Sequence, residues 1–177
     1  MSHCRSPLDK VKDIEELKDE IAILREDGNI IVFTNGVFDI LHSGHVRYLA
    51  EARALGDALV VAINTDSSVK ANKGDLRPIV PEDERAELVA ALECVDFVVK
   101  FDTKTPVSLV GAVQPDIYVK GGDYRAEDLP EAVVVGAYGG QVRILSLVAG
   151  RSTTNIVQKI IRNHAASHER AGVEDTK

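Results

Sequence analysis

The sequence predicts an α/β fold, a Rossmann-like doubly wound sheet of five parallel strands. Three observations carry that expectation. Short β-branched runs alternate with helical segments along the chain. Each run is continuously apolar, as suits a strand covered on both faces. The conspicuous polar motifs all follow a run, where ligands bind in open parallel sheets. At 177 residues with 45% hydrophobic and 28% charged side chains, the chain is long enough for one globular domain.

In order, residues 1–28 read as a polar leader followed by an amphipathic helix, with Val11, Ile14, Leu17, Ile21 and Leu24 at helical spacing and Gly28 as its stop. Residues 29–163 form the expected domain. Its strands fall at residues 30–34, 59–64, 97–101, 117–120 and 142–147, and its helices at 46–55, 82–93, 106–113 and 130–137, with a last helix after Ser152. Residues 164–177 lack an apolar stripe and read as a disordered, frayed tail.

A formal charge of −7 argues against broad attraction to nucleic acid or anionic membrane, so an anionic ligand must be held by a local cluster. No apolar run approaches the roughly 20 residues of a membrane span, and residues 1–9 carry no secretory core. The two cysteines, Cys4 and Cys94, stand in unrelated contexts, which favours a reducing, cytoplasmic setting.

Four segments could carry chemistry. The first strand runs into Thr34-Asn35-Gly36-Val37-Phe38-Asp39-Ile40-Leu41-His42-Ser43-Gly44-His45, with a helix starting near Gly44. Helix-start N–H groups and two imidazoles suit a polyphosphate, and both rings can donate to charge developing on phosphorus. Simple polar capping and, more weakly, a zinc site are the alternatives. The second segment, from Asn64 to Pro78, brings Lys70, Lys73 and Arg77 onto a loop, either as phosphate ligands or as solvated charges. The third, Lys120-Gly121-Gly122-Asp123-Tyr124, leaves room for a base or ribose beside the backbone, or is a plain turn. The fourth, Arg151-Ser152-Thr153-Thr154-Asn155, is ordinary N-capping or a seat for outer phosphates. A G-x-G-x-x-G, a P-loop and a G-x-S-x-G elbow are absent, which removes the main support for dehydrogenase, P-loop kinase and serine hydrolase readings.

The first segment resembles the G-x-F-D-x-x-H-x-G-H signature of the cytidylyltransferase-like nucleotidyltransferases. Together with K-G-D-x-R-P, V-K-G-G-D-Y and S-T-T-N-I in that order, residues 29–162 resemble the heptose 1-phosphate adenylyltransferases. The resemblance implies transfer of AMP from ATP to D-glycero-β-D-manno-heptose 1-phosphate by direct in-line attack, with Mg²⁺ or Mn²⁺ accompanying ATP. It implies His42, His45, Lys73 and Arg77 as catalytic residues. Thr34, Asn35, Gly36, Phe38, Gly44, Lys120, Gly121, Gly122, Asp123, Ser152, Thr153 and Thr154 join the two histidines around the nucleotide. Asp39 is implied at the metal and acceptor, with Lys73 and Arg77 on the acceptor phosphate. A free-standing form would draw its sugar 1-phosphate from a separate sugar kinase, and a homodimer is expected. The competing readings are a cytidylyltransferase acting on glycerol 3-phosphate and a catalytically silent nucleotide-binding module.

Overall fold

The computed structural model describes residues 6–146 and 150–174. Its elements in order are β1 (Val11–Lys12), α1 (Ile14–Glu26), β2 (Ile31–Gly36), α2 (Ser43–Arg53), β3 (Ala58–Asn64), α3 (Asp66–Lys73), α4 (Glu82–Ala90), β4 (Phe97–Phe101), α5 (Val107–Val113), β5 (Ile117–Gly121), α6 (Pro130–Ala137), β6 (Gln141–Leu145) and α7 (Thr153–Glu174). All strand pairs are parallel, in the order β1-β4-β3-β2-β5-β6.

The doubly wound parallel sheet is as expected, with one more strand. Val11 and Lys12 are not the first turn of the leader helix but an edge strand paired with Val98 and Val99. Asp13 ends that strand and starts α1: its Oδ1 accepts from the Glu15 and Glu16 N–H groups at 2.9 Å, and Glu16 accepts the Asp13 N–H in return. A capping box of this kind fixes a helix start more strongly than the apolar spacing three residues earlier. Leu17 and Ile21 of α1 are fully buried, so the segment before residue 29 is part of the core.

Helices cover both faces. On one, α1, α5 and α6 bring Leu17, Ile21, Val110, Val113 and Val135 against Ile31, Phe33, Val60 and Tyr118. On the other, α2 and α4 bring Leu49, Ala52, Ala86 and Val89 against Val32, Leu59, Val61 and Val98. All seven residues of β3 are buried, as the unbroken apolar run required.

After β4 the chain crosses to the far side of β2 to lay down β5 and β6. The winding therefore reverses between β2 and β5, and a crevice opens outside their C-terminal ends. Two further differences bear on the site. Residues 66–73, expected as loop, form α3, started by the Thr65 side chain and ended by Gly74 at φ +90°. The expected tail from His164 continues α7 as far as Glu174. Leu147, assigned to the last strand from sequence, lies outside the described residues.

Candidate active site

Two cavities meet at the β2–β5 crevice. The first, about 270 Å³, lies between the start of α2 and the start of α7; its walls include Asp39, His42, His45, Lys73, Arg77 and Ser152. The second, about 460 Å³, lies over the ends of β2, β3 and β5; Asn35, Asn64, Lys73, Lys104, Lys120 and Tyr124 are among its residues. Lys73 and His45 line both.

His42 is the N-cap of α2, and its Nδ1 accepts the His45 N–H at 3.3 Å. An imidazole nitrogen that accepts carries no proton, so a neutral His42 keeps its N–H on Nε2, free for a ligand. The two rings stack with centroids 3.8 Å apart and 14° between planes, and Phe38 packs edge-on against His45 at 5.2 Å. Burial, then the His42 and Lys73 charges, push the His45 pKa down to about 4. Burial also lowers His42; a backbone hydrogen bond opposes this, and Arg151 adds to it. Both rings are therefore neutral N–H donors near pH 7.

The intervening glycine is a steric requirement. A Cβ on Gly44 would stand 2.9 Å from the His42 ring and 3.0 Å from the Arg151 Cβ, so a side chain there would push α7 and the imidazole apart. Gly36 has a similar role, since its Cβ would meet the Phe38 ring at 2.9 Å. Phe38 itself has φ +50°. That sharp turn sends the chain from β2 back under the histidines.

Asp39 is placed differently from the expectation that it serves metal and acceptor. Its carboxylate is almost fully buried: Oδ1 accepts the Ile79 and Val80 N–H groups at 2.8 and 2.9 Å. Oδ2 faces Arg77 Nε at 2.6 Å, an ion pair without hydrogen-bond alignment. Asp39 thus anchors the loop over the site, and Arg77 is tied to it. Among the described residues no three His, Cys, Asp or Glu side chains gather around one point. A divalent ion needs oxygen ligands with spare capacity, and Asp39, the one carboxylate among the described residues lining either cavity, is already taken by two N–H groups and a guanidinium. The donor set does not fit an ion held by the protein; phosphate oxygens would have to carry it.

The same loop is held from below by Arg85, which is fully buried. Its guanidinium donates to the Val80 and Val37 carbonyls and, at 2.6 Å, to Asp66 Oδ1 at the start of α3. One side chain thereby ties the β2 turn, the loop and α3 together. Lys73, on the last turn of α3, reaches the junction of the cavities with no ion-pair partner among the described residues.

Of the other residues expected at the nucleotide, Ser152, Thr153 and Thr154 line the first cavity, with Ser152 Oγ accepting the Asn155 N–H at 3.1 Å. Asn35, Gly36, Lys120 and Gly121 line the second cavity instead. Thr34 is corrected to an interior residue: it is fully buried and bonded at 2.6 Å to the Tyr48 hydroxyl. Gly122, at φ +128°, and exposed Asp123 lie beyond the lining of both cavities. Sequence reasoning gave no role to Tyr48 on α2, Asn64 at the end of β3, Asn72 on α3 or Lys104 after β4, which reach the cavities because the fold brings these elements together over the strand ends.

The geometry agrees with what the chain is similar to. The chain is 49% identical over 152 residues to the Bifunctional protein HldE of Syntrophotalea carbinolica and 51% identical over 147 residues to that of Cronobacter sakazakii. These matches cover 86% and 83% of this chain but 31% of each relative, so the chain spans about a third of the length of the curated relatives it matches. Among solved structures it superposes on the lipopolysaccharide core biosynthesis protein of Thermoplasma volcanium with a TM-score of 0.55 and 36% identity, covering 68% of this chain and 97% of that one. Pantoate-beta-alanine ligase of Francisella tularensis, 13% identical with a TM-score of 0.55 over 81% of this chain and 68% of that one, shares the fold. Residues 33–164, which include the histidine pair, the loop over it and the start of α7, match the cytidylyltransferase-like family, to which this chain belongs.

Proposed function

We propose that the chain is an adenylyltransferase that joins AMP from ATP to a sugar 1-phosphate, with D-glycero-β-D-manno-heptose 1-phosphate as acceptor. The observation that carries this reading is the junction: one cavity lined by helix-start groups and histidines, one lined by lysines and amides, and Lys73 with His45 between them. The triphosphate would lie in the first cavity along the N-termini of α2 and α7, where backbone N–H groups and hydroxyls favour anions. The sugar phosphate would lie in the second.

An oxygen of the acceptor phosphate forms the new bond to the α-phosphorus, and the bond to the bridging oxygen of the leaving pyrophosphate breaks with its electron pair. The acceptor is already ionised, so no side chain need remove a proton. His42 Nε2–H and the neutral His45 ring donate to the charge on the transferring group, and Lys73 offsets the charge shared between the two substrates. Mg²⁺ or Mn²⁺ would travel with ATP on its phosphates and add to that neutralisation. The acceptor would be supplied by a separate sugar kinase, and a homodimer is the assembly we expect.

Pyrophosphate release tests the reading. ATP with the heptose 1-phosphate should turn over, and CTP with glycerol 3-phosphate should not. The reverse preference would replace the substrates while keeping the chemistry; release with no pair would favour a silent binding module.

A further inference from the structure

Behind the second cavity lies a polar cluster that the transfer chemistry does not use. The Asn35 Oδ1 accepts from the Tyr118 hydroxyl at 2.7 Å and from Lys120 Nζ at 3.1 Å. An ammonium can only donate, so the amide oxygen must face inward. The Asn35 NH₂ group is thereby turned away from the cluster. It has no hydrogen-bond partner among the described residues, and Asn35 lines the cavity.

Glu131, on the first turn of α6, is 2% exposed, and its Oε2 has no hydrogen-bond partner among the described residues. A buried carboxylate in that state is costly unless it answers a nearby charge. Its field acts on both Lys120 and Tyr118. Burial pulls the Lys120 ammonium toward neutrality and Glu131 opposes it; burial and Glu131 together keep the Tyr118 hydroxyl protonated. Glu131 thus acts on both donors to Asn35, opposing loss of the Lys120 proton and helping to retain that of Tyr118.

We propose that Tyr118 and Glu131 are positioning residues of the acceptor cavity: with Lys120 they lock the Asn35 amide so that its N–H groups read a hydroxyl oxygen of the acceptor sugar. The phosphate of that acceptor lies at Lys73 and the histidines, so Asn35 acts on the sugar and not on the transferring group. This rests on the sugar phosphate occupying the second cavity as set out above.

Steady-state kinetics on the full chain with ATP and heptose 1-phosphate test it. Tyr118→Phe keeps the ring stacked on Phe33 but frees the amide, and should raise the acceptor KM about tenfold while kcat and the ATP KM stay within about twofold. Asn35→Asp keeps an oxygen for Tyr118 and Lys120 but presents no donor to the cavity, and should raise the acceptor KM at least as much with an unchanged melting temperature. Glu131→Gln should raise it severalfold. An unchanged acceptor KM in Asn35→Asp, or equal rises for ATP and acceptor in Tyr118→Phe, overturns the proposal while leaving the adenylyltransferase reading standing. A wild-type chain inactive on any sugar 1-phosphate overturns both.

Discussion

His45 combines two properties that separate experiments can measure. As a neutral donor to the transferring phosphoryl group, its loss in His45→Ala should lower turnover by about 10² to 10³; near-normal turnover would remove it from the catalytic set. Its folded-state pKa near 4 lies below the ordinary 6.5, so the unfolded chain takes up its proton first as pH falls. The stability it contributes is therefore intact above about pH 6.5 and is lost progressively down to about pH 4. Denaturant melts of ligand-free protein should show that loss, and His45→Gln should show less of it. Lys73 and Arg77 look alike in sequence but differ in the structure. Lys73→Ala should lower kcat/KM for the acceptor by about ten- to a hundredfold without changing the melting temperature. Arg77→Ala leaves the buried Asp39 without its counter-charge and should cost on the order of 3 kcal/mol of stability as well as activity. Equal melting temperatures for the two variants would contradict this division.

At the scale of elements, the parallel register is set at the sheet edge away from the site. Asp57, Asp96 and Asp116 each stand immediately before a strand, β3, β4 and β5, and each accepts a backbone N–H from a neighbouring chain segment: Ile30, Leu59 and Ile31, at 2.8 to 2.9 Å. Asp96 also pairs with Arg53 at 2.9 Å. Asp96→Ala should destabilise the fold by about 1.5 to 3 kcal/mol in urea melts, the range for a hydrogen bond to a charged group, with little effect on KM for either substrate. Strands and helices were legible because apolar period and continuity are local properties of the chain. The histidine pair and the Ser-Thr-Thr cap were legible for the same reason. What was not legible depends on tertiary contact: that residues 66–73 coil into a helix aiming Lys73, that Asp39 is consumed by its own loop, and that Arg85 is an interior clamp. Arg85 is the one cation among the carboxylates of α4, a pattern that reads as a solvated surface charge, yet it is fully buried.

Across the whole molecule, the N-terminal segment decides whether the site has a stable frame. The family match begins at residue 33, and the amphipathic spacing before it reads as a surface helix. In the structure Lys10 Nζ donates to the Leu92 and Val95 carbonyls, β1 completes the sheet beside β4, and Leu17 and Ile21 are sealed against Phe33, Val110 and Val113. Fully burying a large aliphatic side chain is worth about 1.5 to 3 kcal/mol, and removing α1 also bares the apolar partners beneath it. Two such residues, the uncovered face and the lost strand pairing together approach the entire 5 to 15 kcal/mol that holds a typical domain. A chain trimmed to residues 29–177 should therefore show no cooperative thermal transition and should bind hydrophobic dyes, even though every catalytic residue is retained. Leu17→Ala alone should cost about 2 to 5 kcal/mol in the full chain. If the trimmed chain melts cooperatively within a few degrees of the full one and turns over normally, α1 is an appendage and the core is complete without it.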